Sequence, residues 1–129
     1  MTSDRKSILT ATLGHLTAST LAQVSLSGTP HDIQATIAAS IIAANKAGFD
    51  IYTFEVNPQD IEVSLSRLKE QLQSQHWDGL LIGFAIRGEK EYAPLFEGLV
   101  DVCRQAAPRT KLLFGSGPYD LMATLRRNF

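Results

Sequence analysis

The stretch Gly79-Leu80-Leu81-Ile82-Gly83-Phe84-Ala85-Ile86 decides the fold. Its apolar side chains fall on both parities of an extended chain. Both faces of such a strand must be buried, as in the centre of a parallel sheet covered by helices. The flanking segments agree. Upstream, Ile61, Leu65, Leu68 and Leu72 recur at helical spacing and form one amphipathic face. Downstream, Leu95, Leu99 and Val102 lie on one stripe of a helix expected from Tyr92 to Gln105. Pro108 marks the turn after it, and Lys111-Leu112-Leu113-Phe114 reads as a short fourth strand. Trp77, just before the central strand, is expected to pack at its edge.

The remaining elements repeat this alternation. Ser7 to Leu13 is a β-branched, apolar run ending at Gly14, and reads as strand one. His15 to Thr29 is rich in Ser and Thr and reads as a long loop, or a loop holding a short helix. Long loops in compact domains are often functional. Thr29-Pro30-His31-Asp32 is a helix start, with a Thr cap, Pro in the first turn and a carboxylate facing the free N–H groups. Ile33, Ile37 and Ile41 follow every four residues beside Ala38 and Ala44, and Gly48 ends the helix. Phe49 to Val56 reads as strand two. Asn57-Pro58-Gln59-Asp60 repeats the same start grammar. Gly115-Ser116-Gly117-Pro118 is a turn, and Tyr119 to Arg127 a last short helix.

The order is β-α-β-α-β-α-β-α. Alternation with short connections implies a parallel sheet with helices on both faces. Right-handed crossovers make strand order 2-1-3-4 the simplest solution. The expected fold is a single-domain three-layer α/β/α sandwich over residues 1–129, Rossmann-like with flavodoxin-like topology. A chain of 129 residues is long enough for one such domain and short for two.

Composition excludes several function classes. Twelve Lys and Arg against 13 Asp and Glu leave a formal net charge of −1. No global field attracts nucleic-acid backbone, so no nucleic-acid partner is expected. Arg126-Arg127 reads as a cationic last turn facing a helix dipole. With no long apolar run, no membrane span is expected. The Ser/Thr-rich stretch from Arg5 to His31, which lacks acidic residues, faintly resembles a transit peptide. Its apolar run is broken by Thr10, Thr12, Gly14 and His15, so a first strand is the preferred reading and a cytoplasmic location the expectation. Cys103 is the sole cysteine and sits in a helical apolar pattern, where a small core residue is expected. The histidines, at 15, 31 and 76, are dispersed, so no metal site is expected.

Topology also says where a ligand should sit. In open parallel sheets it lies beyond the carboxyl ends of the strands, at the switch in strand order. With order 2-1-3-4 that switch falls between strands one and three. Three segments should meet there: Leu13-Gly14-His15, Phe84 to Glu89, and Gly115 to Asp120. Arg87 could hold a carboxylate or phosphate with its planar fork of donors, or could be a surface residue paired with Glu89 or Glu91. Gly115, Ser116 and Gly117 could bring backbone N–H groups to an anion at a helix start, or form a plain tight turn. His15 could exchange a proton near neutral pH, with Asp120 or Glu89 as its carboxylate partner. Asp120 also fits a capping role. Tyr92, Phe96 and Tyr119 could wall a pocket, with Phe96 also suited to the core. The expected catalytic set is His15, Arg87 and Asp120. The expected ligand-binding set is Gly14, Arg87, Glu89, Gly115, Ser116, Gly117 and Tyr119. There is no Gly-Xaa-Gly-Xaa-Xaa-Gly and no Walker-type loop, so no dinucleotide or nucleotide cofactor is expected.

Trp77 to Phe129 resembles a family of small microbial Rossmann-like proteins. The resemblance rests on Asp78 to Arg87, on Leu95-Phe96-Glu97, and on Ala107-Pro108 before a strand ending Leu113-Phe114. In that family the third strand typically ends Gly-Xaa-Gly-Xaa-Arg, and a turn resembling Asn-Thr-Xaa-Pro-Asp-Asp follows the fourth. Here Arg87, Pro118 and Asp120 match. Ala85 replaces a Gly, Gly115-Ser116 replaces Asn-Thr, and Tyr119 replaces Asp. The resemblance implies the fold and the Arg87 site, and no particular reaction. Thr10 to Thr17 distantly resembles the hydroxyl-rich phosphate loop of flavodoxins, but its spacing differs by a residue and no flavin-stacking aromatics are evident, so flavin is not expected.

These readings favour a small metal-independent enzyme of isomerase or lyase type, acting on an anionic or carbonyl-bearing metabolite. The alternative is a non-catalytic small-molecule-binding or regulatory module that self-associates. A homodimer is expected under either, because a four-stranded sheet has two edges to cover.

Overall fold

The computed structural model describes residues 5–12, 30–83, 86, 88, 90–115 and 121–129, with residues 30–37 described as backbone. Along the chain these form β1 (Lys6–Thr12), α1 (Pro30–Lys46), β2 (Phe49–Glu55), α2 (Ile61–Gln73), β3 (Gly79–Ile82), a 3-10 turn (Lys90–Tyr92), α3 (Ala93–Ala106), β4 (Lys111–Phe114) and α4 (Leu121–Asn128). The strands form one parallel sheet in the order β2-β1-β3-β4. The chain therefore has the expected α/β fold with flavodoxin-like topology.

Right-handed crossovers place the helices in two layers. α2 packs on α3 across one face, and α1 on α4 across the other. Strand parity divides the core accordingly. Leu9, Ala11, Leu80 and Ile82 face the α2/α3 layer, with Leu68, Leu72, Leu95, Leu99 and Cys103. Ile8, Leu81 and Leu113 face the α1/α4 layer, with Ala44 and Leu125. All four residues of β3 are buried, as its double-parity pattern requires. In α1, Ala44 is buried but Ala38 is exposed, and Ile42 is 57% exposed.

The strands are tied together at their amino ends. The Asp78 carboxylate accepts from the Ser7 amide at 2.8 Å. The Asp78 amide donates to the Ser7 carbonyl, and its carbonyl accepts from the Lys111 amide at 3.1 Å. One residue thus links the starts of β1, β3 and β4. Beside it, Gly79 leaves no room for a side chain. A Cβ there would lie 2.9 Å from Leu113 Cδ1 and 3.1 Å from Ile8 Cδ1, both inside the core. Gly48 has φ +102°, the left-handed conformation that ends α1 and turns the chain into β2.

Several expectations need correction. The third strand stops at Ile82 rather than Ile86. The Ile86 amide donates to the Gly83 carbonyl at 3.2 Å, so the chain turns and buries Ile86 against the core off the strand. Its apolar character reflected that burial, not sheet pairing. The second helix is capped by Asp60, whose carboxylate accepts from the Val63 amide, not by Asn57. The Asn57 side chain instead accepts from the Gln59 amide, closing a turn around Pro58. Trp77 is not an edge residue. It is 2% exposed, its indole N–H donates to the Gln71 carbonyl at 2.9 Å, and its ring stands edge-on to Tyr52. Strand one runs Lys6–Thr12, one residue earlier than expected, and Leu13 lies outside the described residues, as does the Thr29 cap.

Among the described residues, the hydroxyls of Thr10 and Thr124 are buried with no hydrogen-bond partner. Thr124→Val keeps the shape and removes the orphaned hydroxyl, which should raise stability by roughly 1–2 kcal/mol. Thermal denaturation reads this as a higher Tm, and a lower one would mean that the hydroxyl is satisfied in solution. Cys103 is 1% exposed, and burial pushes its thiol up to about 11. The folded state thus holds the proton more tightly than the unfolded chain. Stability from this group is complete below about pH 9 and declines as pH rises toward 11. An aromatic disulfide reagent at neutral pH should label Cys103 only in denaturant, and rapid labelling of the native protein would contradict that burial.

Candidate functional site

The register brings the carboxyl ends of all four strands level. Ala11 lies opposite both Phe54 and Ile82, and Ile82 lies opposite Phe114. Just past these positions, backbone bonds hold the emerging loops side by side. The Gly83 amide donates to the Ala11 carbonyl at 3.2 Å, the Gly115 amide to the Ile82 carbonyl at 3.4 Å, and the Val56 amide to the Thr12 carbonyl at 2.7 Å. The switch in strand order therefore lies between β1 and β3, with Gly83 at its lip.

Among the expected site residues, Gly115 is described: it is buried at the end of β4. Gly14, His15, Arg87, Glu89, Ser116, Gly117, Tyr119 and Asp120 lie outside the described residues. Their anchors are described. The segment carrying Gly14 and His15 leaves from Thr12. The segment carrying Arg87 leaves from Gly83 and passes through buried Ile86. The segment carrying Ser116 to Asp120 leaves from Gly115 and leads into α4 at Leu121. These three departure points lie on adjacent strands at one end of the sheet. At these strand ends the described residues Thr12, Gly83 and Gly115 contribute backbone groups.

One aromatic at this end of the sheet was missed by the sequence reading. Phe114, at the carboxyl end of β4, is 37% exposed and meets Phe96 edge-to-face at 5.9 Å. Its position as the last residue of a strand was the available signal. Phe96 packs partly buried against the core, and Tyr92 is half-buried at the start of α3.

Other candidates lie elsewhere. His76 Nε2 sits 3.2 Å from Asp78 Oδ1, at the amino end of the sheet and opposite the switch. Its position after the second helix suggests a partner in that helix's C-terminal dipole, and it sits beside a carboxylate instead. Arg126 and Arg127 lie in the last turn of α4, and Arg127 donates to the Phe114 carbonyl. A groove of about 500 Å³ that the sequence did not suggest lies between the end of β2 (Thr53, Phe54, Glu55) and α2 (Arg67, Glu70, Gln71). Arg67 stacks over the Phe54 ring there. Among the described residues, no three His, Cys, Asp or Glu side chains cluster as a metal site, and no helix is long and apolar enough to cross a membrane.

Comparison with protein-family models, with curated proteins and with solved structures finds no match to this chain.

Proposed function

We propose that this chain is a small metal-independent enzyme of isomerase or lyase type, taking an anionic or carbonyl-bearing metabolite beyond the carboxyl ends of β1, β3 and β4. One observation carries the reading. The strand order puts the switch between β1 and β3, and the segments bearing His15, Arg87 and Ser116 to Asp120 leave from neighbouring strand ends there. In this reading the Arg87 guanidinium holds the anionic group. His15 moves a proton, oriented by Asp120 or Glu89. Ser116 and nearby N–H groups polarise an oxygen.

Native mass spectrometry of the untagged protein, beside its denatured mass, tests this. The expected result is a small acidic mass excess on the native chain that disappears in Arg87→Ala. The same excess persisting in Arg87→Ala contradicts the reading. So does a bare wild-type chain that neither phosphate nor pyruvate stabilises in a thermal melt. Ligand binding without turnover would select the regulatory alternative at the same cleft.

A further inference from the structure

We infer that the outer edge of β2 is an interface for a second copy of this chain, paired antiparallel about a two-fold axis through Tyr52. The sheet has two edges, β2 and β4, and they are finished differently. β4 has four residues, and Arg127 Nη2 occupies the outward-facing carbonyl of Phe114 at 3.3 Å. β2 has seven residues and no proline, glycine or lysine to interrupt it. A long, regular edge, uncovered among the described residues, is a template for another strand.

The ladder fixes which groups that edge presents. The Lys6 amide donates to the Gly48 carbonyl, and the Val56 amide to the Thr12 carbonyl. In a parallel pair this alternation turns the even-numbered residues of β2 toward β1. Phe49, Ile51, Thr53 and Glu55 therefore direct their N–H and C=O groups away from the sheet. Beside the strand runs the groove bounded by Thr53, Glu55, Arg67 and Glu70. Tyr52 is 45% exposed, and the adjoining elements expose Ile42 on α1 and Val63 on α2.

The pattern of β2 is self-complementary. With the axis at Tyr52, Ile51 pairs with Thr53 of the second copy and Phe49 with Glu55, each through outward-facing backbone groups. Asp50 lies opposite Phe54, so no carboxylate faces another, and Asp50 is already paired with Arg5 at 2.7 Å. The two Tyr52 rings meet at a non-hydrogen-bonded site, where cross-strand side chains approach most closely. An axis at Asp50 or Glu55 would oppose like charges. An axis at Ile51 or Thr53 would leave part of each strand unpaired. The Tyr52 register therefore uses the whole strand without repulsion and joins two sheets into one.

Sedimentation equilibrium of the full chain, with cysteine variants, tests the surface and its register. The wild type is expected to be dimeric. Tyr52→Cys should form an intermolecular disulfide under mild oxidation, because facing residues at such a site fall within bridging distance. Thr53→Cys should not, because its counterpart lies two residues along the strand. Cys103 is buried and stays silent. Thr53→Pro removes an outward-facing N–H that no described residue of the monomer bonds, and should give a folded monomer. A wild-type chain that stays monomeric at millimolar concentration overturns the proposal. So does a Thr53→Pro chain with wild-type melting that remains dimeric. Should Tyr52→Cys misfold, Thr53→Pro decides alone.

Discussion

Trp77→Ala is expected to cost about 3–5 kcal/mol, the range for truncating a large buried aromatic. The indole is 2% exposed and lies in the core between the sheet and α2/α3. Truncation leaves a cavity beneath the start of β3 and removes the edge-on contact with Tyr52. The indole N–H bond to the Gln71 carbonyl is lost as well, although that carbonyl keeps its bonds from the Ser74 amide and hydroxyl. Domains of this size have roughly 5–15 kcal/mol of stability, so the variant should be close to unfolding at room temperature. Urea denaturation followed by circular dichroism measures the loss, and Trp77→Phe should restore most of it. A loss below about 1 kcal/mol would mean that Trp77 is not buried as described. Trp77 is also the only tryptophan, so native fluorescence reports this one core position.

The second large effect is functional. Arg87→Ala should abolish turnover and leave the far-ultraviolet spectrum and urea midpoint near wild type. A hydrogen bond to a charged group is worth roughly 1.5–3 kcal/mol, which corresponds to about tenfold to a hundredfold weaker binding of an anion. Isothermal titration with phosphate and with pyruvate measures it. Arg87→Lys keeps the charge and loses the planar fork, so it should recover part of the affinity. Unchanged affinity in Arg87→Ala would remove Arg87 from the site.

The sheet was legible because each strand states its surroundings. The double-parity run of β3 required a covered central strand, and the spacing Ile61, Leu65, Leu68, Leu72 required a helix lying on it; Leu68 and Leu72 are indeed buried. Right-handed crossovers then left little freedom in strand order. Less was legible where one residue type serves two purposes. Ile86 is as apolar as a strand residue, yet it plugs the core from a turn. Asn57 and Asp60 are both good caps, and the choice between them depended on which side chain reached a free helical amide. Trp77 could not be placed by periodicity because it lies between elements. The position of the switch followed from strand order, whereas the Thr53–Arg67 groove depends on tertiary packing of α2 beside β2 and leaves no sequence pattern.

The proposed anion site lies at the carboxyl ends of β1, β3 and β4. Proton–nitrogen correlation spectra of the labelled chain, titrated with phosphate and then with pyruvate, test it most directly. The expected result is that amide shifts concentrate at Thr12, Gly83, Gly88 and Gly115, and at the Arg87 side chain. Shifts confined to Thr53, Glu55 and Arg67, or absent throughout with both anions, would contradict it.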